Sequence, residues 1–149
     1  ALRGMDLLSL DQTLSAMPAT LQERWFARLY LLMPLMVAVL SLFWLLSGLI
    51  GVMDVARAAA TLPAAVVSTD LARVLVIGGA VIDVILGAAV LYRPFAKFAC
   101  MGMLAVSCVY LIAGSVLTPG LWLDPLGPFL KVLPAMALAV VTLAVLEER

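Results

Sequence analysis

The chain has 149 residues, 66% of them hydrophobic and 12% charged, with a mean hydropathy of +1.21, whereas soluble domains run near about 45–50% apolar and 25% charged. Nine Lys plus Arg balance nine Asp plus Glu, so no basic excess points to nucleic acid. Histidine is absent, which excludes His-ligated haem, the usual His-containing metal sites and Ser-His catalysis from within this chain.

At roughly 20 apolar residues per span, the length suits one domain: an all-α integral membrane four-helix bundle. Residues 1–20 are mixed in character. Ser9-Leu10-Asp11-Gln12 resembles a capping box, and Leu7, Leu8, Leu10, Leu14 and Met17 supply apolar positions, so an N-terminal interfacial amphipathic helix, or a linker, is expected there. Pro18 ends it. Residues 1–28 lack the pattern of a secretory signal, and the opening Ala1 suggests a piece of something longer or a processed product.

The transmembrane domain is expected over residues 21–149, with spans at about 29–53, 71–92, 98–117 and 126–146. Thr20-Leu21-Gln22-Glu23 reads as a second capping box. Arg24, Trp25, Phe26, Arg28 and Tyr30 then form an interfacial belt ahead of the first apolar run, in which Pro34 marks a kink. Asp54 to Asp70 is the first connection, and Arg93 to Lys97 is a connection short enough to make spans two and three antiparallel neighbours. Cys100 and Cys108 lie ~12 Å apart along one helix at 1.5 Å per residue, too far for a disulfide. Both read as small core hydrophobes.

Thr118-Pro119-Gly120 breaks the third span, and an extracytoplasmic hairpin of Trp122, Asp124 and Pro125 follows. Asp124 before Pro125 reads as a cap and first helical position, launching the fourth span. Trp122 is an interfacial anchor, or else a ring that stacks on a ligand. By the positive-inside rule, Arg24, Arg28, Arg93, Lys97 and Arg149 mark the cytoplasmic side, against Arg57, Arg73 and Lys131 on the other. Both termini are then cytoplasmic, and the location is the cell (inner) membrane, with the lipid bilayer as the first partner.

Asp83 falls near the middle of the second span, where a carboxylate carries a penalty of about 2.5–3.5 kcal/mol on insertion scales. It should therefore face the bundle. Gly79 and Gly87, one turn to either side, share its stripe and admit a neighbouring helix. Ser41, Ser107 and Tyr110 are its candidate hydrogen-bond partners by depth. Lys131 lies in the fourth span near its outer end. Side chains on both helices lean toward their N-termini, so Lys131 is expected to snorkel outward, toward Asp124 or Asp54 rather than Asp83. The candidate intramembrane polar site is thus Asp83, Lys131, Tyr110, Ser107 and Ser41, as a proton-handling group, a ligand anchor or a helix-packing device. No metal or cofactor motif is present.

Trp44-Leu45-Leu46-Ser47-Gly48-Leu49-Ile50, Ile82-Asp83-Val84-Ile85-Leu86-Gly87, and Leu121-Trp122-Leu123-Asp124-Pro125-Leu126-Gly127-Pro128 with Leu130-Lys131-Val132-Leu133-Pro134 together resemble the DoxX-like membrane family. Val132 departs from the family pattern, in which Asn often follows the lysine. The resemblance implies a four-helix membrane protein of a kind associated with quinone-linked or thiol-linked oxidoreductases. Pro18 to Leu32 further resembles the junction of a subgroup in which this domain follows an NAD(P)-binding short-chain-dehydrogenase-like domain. The expectation is a membrane domain that anchors or couples an oxidoreductase module at the cytoplasmic side, more a non-catalytic domain or subunit than an enzyme in itself. NAD(P) would bind only through that separate domain. The alternatives are a quinone-reactive redox subunit, with quinone near Asp83, Tyr110 and Lys131, or a small-solute or proton pathway through Asp83.

Overall fold

The computed structural model describes residues 21–125 and 127–147, together with residue 11. The interfacial helix expected over residues 1–20 otherwise lies outside the described residues, as do Leu126, Glu148 and Arg149. All regular structure among the described residues is helical: α1 (Leu21–Met53), α2 (Val55–Ala59), α3 (Thr69–Ala89), α4 (Arg93–Leu117), a 3₁₀ turn (Pro119–Trp122) and α5 (Pro128–Glu147). Four of these, α1, α3, α4 and α5, are long and apolar enough to cross a membrane, as the composition requires.

The chain divides into two compact units at Leu32/Met33, inside α1. In the first, Glu23 occupies the opening turn of the helix, and Trp25, Phe26 and Tyr30 are all exposed. The Phe26 and Tyr30 rings, one turn apart, lie 6.4 Å centre to centre.

The second unit, from Met33 on, holds the core. Leu40 and Trp44 of α1, Val90 at the end of α3, Ala99, Cys100 and Met103 of α4 and Ala139 of α5 form one buried cluster. Outside it the helices are greasy: Ile112 is 67% exposed and Val116 76%, which in water would make an aggregating surface but in a bilayer meets lipid. Lipid tails are as apolar as Leu, so burying such side chains between helices gains little here. Close packing of small residues and interhelical hydrogen bonds must hold the bundle instead.

The connection after α1 is itself folded. The Asp54 side chain caps α2 by accepting from the Arg57 N–H at 3.0 Å, and Ser68 caps α3 at Leu71. Ala59, Val67 and Ala72 pack there as a small second cluster with Leu62 and Val76.

Three local expectations are corrected. Arg93 to Lys97 are not a connection but the first residues of α4, because Pro94 fits the opening turn of a helix, where no N–H is needed. Val90 to Tyr92 make the turn instead. Likewise α5 opens at Pro128, not at Pro125. The Asp124 carbonyl accepts from the Gly127 N–H at 2.9 Å, and Gly127 adopts φ +54°, the left-handed region that glycine enters freely. Asp124 and Pro125 thereby form a turn ahead of the helix. Finally, Cys100 is buried but Cys108 is exposed: at about 100° per residue, eight residues rotate the second thiol well off the core face.

Candidate functional site

Asp83, in the second half of the apolar helix α3, is 5% exposed. Its carboxyl is reached from two neighbouring helices. Ser47 of α1 donates its hydroxyl to Oδ2 at 2.8 Å, and Tyr110 of α4 donates to Oδ1 at 3.2 Å. One side chain therefore ties α1, α3 and α4 together, each carboxyl oxygen accepting one hydroxyl.

Glycines make this reach possible. A Cβ on Gly48 would lie 2.6 Å from the Ala80 carbonyl oxygen, and one on Gly87 would lie 2.9 Å from the Leu45 nitrogen and 3.1 Å from the Ser41 oxygen. These are backbone-to-backbone approaches, which only a missing side chain permits. Ser41 fastens the second of them by donating to the Gly87 carbonyl at 2.7 Å. Gly79 plays a different part: a Cβ there would stand 2.7 Å from the Tyr110 hydroxyl oxygen. Its bare surface is the slot through which the phenol reaches Asp83.

The sequence-predicted residues thus separate into three places. Asp83 and Tyr110 meet. Ser41 is buried at the same crossing but bonds the backbone rather than the carboxyl, and Ser107 is buried on α4, with no hydrogen bond to Asp83. Lys131 lies elsewhere, lining a cleft of about 210 Å³ with Val39, Leu40 and Phe43 of α1 and Pro134, Ala135 and Leu138 of α5.

The hairpin residues form the third place. Trp122 donates its indole N–H to Ser115 Oγ at 3.0 Å and meets Phe129 edge-on, with ring centres 5.2 Å apart. The Phe129 ring in turn fills the space that a side chain at Gly114 would need. Trp122 is therefore held by the protein on two sides, closing the turn between α4 and α5.

Ser47 is the member that depth counting passed over in favour of Ser41. Its signal was its neighbour: Gly48 brings α1 against Ala80, and the residue beside a contact glycine is carried to within reach of Asp83.

Chemically, the carboxyl and two hydroxyls form a tie between helices, with the carboxyl buried and Ser47 and Tyr110 reaching it from exposed positions. Neither the Lys131 cleft nor a second cleft, at Ala56 to Arg73, is lined by Asp83 or Tyr110. Among the described residues no three His, Cys, Asp or Glu side chains are grouped so as to hold a metal ion.

No curated protein and no solved structure matches the chain. The model of the DoxX-like family matches residues 41–140, a stretch that contains every member of the Asp83 tie and extends through the hairpin and Lys131. The match covers more than half of the chain, and the sequence therefore belongs to the DoxX-like family, as a membrane protein with four helices long and apolar enough to span a bilayer.

Proposed function

We propose that this chain is the membrane-embedded part of an oxidoreductase assembly, anchoring or coupling a redox module at the cytoplasmic face of the inner membrane. The supporting observation is how the buried polar chemistry is used. Asp83, the carboxyl deep in these spans, is engaged by Ser47 and Tyr110 in joining helices, which suits a scaffold better than a reaction centre. The resemblance of Pro18 to Leu32 to a junction following a short-chain-dehydrogenase-like domain supplies the kind of module, an NAD(P)-binding domain. By the positive-inside rule, Arg24, Arg28, Arg93 and Lys97 support cytoplasmic placement of the segments that carry them, and with it cytoplasmic termini.

Purification of the native polypeptide from membranes in mild detergent tests this reading. Copurification of a nucleotide-binding or redox polypeptide, or its presence in the same chain, is the expected result. A native protein with no such domain and no such partner would overturn it. Recovery of stoichiometric quinone instead would favour the quinone-reactive subunit.

A further inference from the structure

We propose that the cleft between α1 and α5 binds an anionic phospholipid, with the phosphate against Lys131 and one acyl chain lying along the groove. Lys131, Pro134, Ala135 and Leu138 fall on one face of α5, three or four residues apart, opposite Val39, Leu40 and Phe43 of α1. Lys131 is the single charged group in that lining, and all the rest is apolar. It is also at the shallow end: three residues from the first residue of α5, it lies ~4.5 Å in along the axis at 1.5 Å per residue, close enough for its stem to carry the ammonium to phosphate depth. Leu138, two turns further, marks the deep end. A cation at the boundary with an apolar trough running inward has the polarity of an anionic lipid.

Other occupants fit less well. At about 210 Å³ the cleft is smaller than the roughly 300–1,000 Å³ of pockets that enclose compact ligands, but a single chain needs only to lie along it. A neutral ring would leave the ammonium without a counter-ion.

Native mass spectrometry of the detergent-purified protein tests the site, using phosphatidylglycerol and phosphatidylcholine with identical acyl chains. The wild type should bind phosphatidylglycerol about fivefold more tightly, the order expected for one lysine facing an anionic headgroup. Lys131→Met should erase the preference and Lys131→Arg should keep it. Ala135→Phe, which fills the groove, should weaken both lipids, and Arg57→Gln, outside the cleft, should leave the preference intact. Equal binding of the two lipids by the wild type, a preference surviving Lys131→Met, or a dimer that excludes lipid from the cleft would each overturn the proposal. Should Ala135→Phe fail to fold, the Lys131 pair decides alone.

Discussion

Asp83 and Lys131 are both charged residues set in apolar helices, and the structure treats them in opposite ways. Asp83 sits among glycines that let two other helices close in, and both of its oxygens are occupied. Lys131 has prolines nearby, Pro128 before it and Pro134 after it, and faces an open groove. A charged group is enclosed in a membrane bundle when its own stripe is bare enough for neighbouring backbones to approach. Without such a stripe it stays at a cleft, where lipid or water must answer it.

The sharpest way to break the Asp83 side of this contrast is to thicken a backbone crossing. Gly48→Val or Gly87→Val should cost about 3 kcal/mol or prevent folding, because the new atoms meet the backbone at Ala80 or Leu45 and no rotamer relieves them. Reversible unfolding in mixed micelles reads the effect. Gly79→Ala should cost less, about 1 kcal/mol, because it displaces only the Tyr110 hydroxyl. That cost should vanish in a Tyr110→Phe background, since the next ring atom is 3.6 Å away. Ser47→Ala should cost about 0.6 kcal/mol, the mean for interhelical side-chain bonds in a bilayer. Gly78→Ala, one residue from Gly79 but with nothing within 4 Å of its new Cβ, should be neutral or stabilise by up to about 1 kcal/mol. Lys131→Met should leave unfolding unchanged and alter only lipid preference.

Much of this was legible from sequence where periodicity and burial cost act together. Four apolar helices follow from composition, and the interior position of Asp83 follows from the insertion penalty together with Gly79 and Gly87 on its stripe. What could not be read was the axial offset between helices. Depth counted from span ends pointed to Ser41 as a partner of Asp83, but α1 is displaced along its axis relative to α3, so Ser47 takes that position and Ser41 meets Gly87 one turn away. The start of α5 at Pro128 is hidden from local sequence for a related reason. Asp124-Pro125 and Gly127-Pro128 are both plausible openings, and the choice rests on a left-handed backbone at Gly127 that local propensity does not rank. Cys100 and Cys108 share a helix but not a face, since eight residues at about 100° each leave them about 80° apart around its axis.

A double-mutant cycle between Ser47→Ala and Asp83→Leu, read by reversible unfolding in a bilayer-like medium, tests the helix tie most directly. A coupling energy between about 0.6 and 1.7 kcal/mol, the range of strong interhelical bonds in membranes, is the predicted result. Additive effects, with coupling indistinguishable from zero, would mean that the Ser47 hydroxyl and the Asp83 carboxyl do not hold α1 to α3.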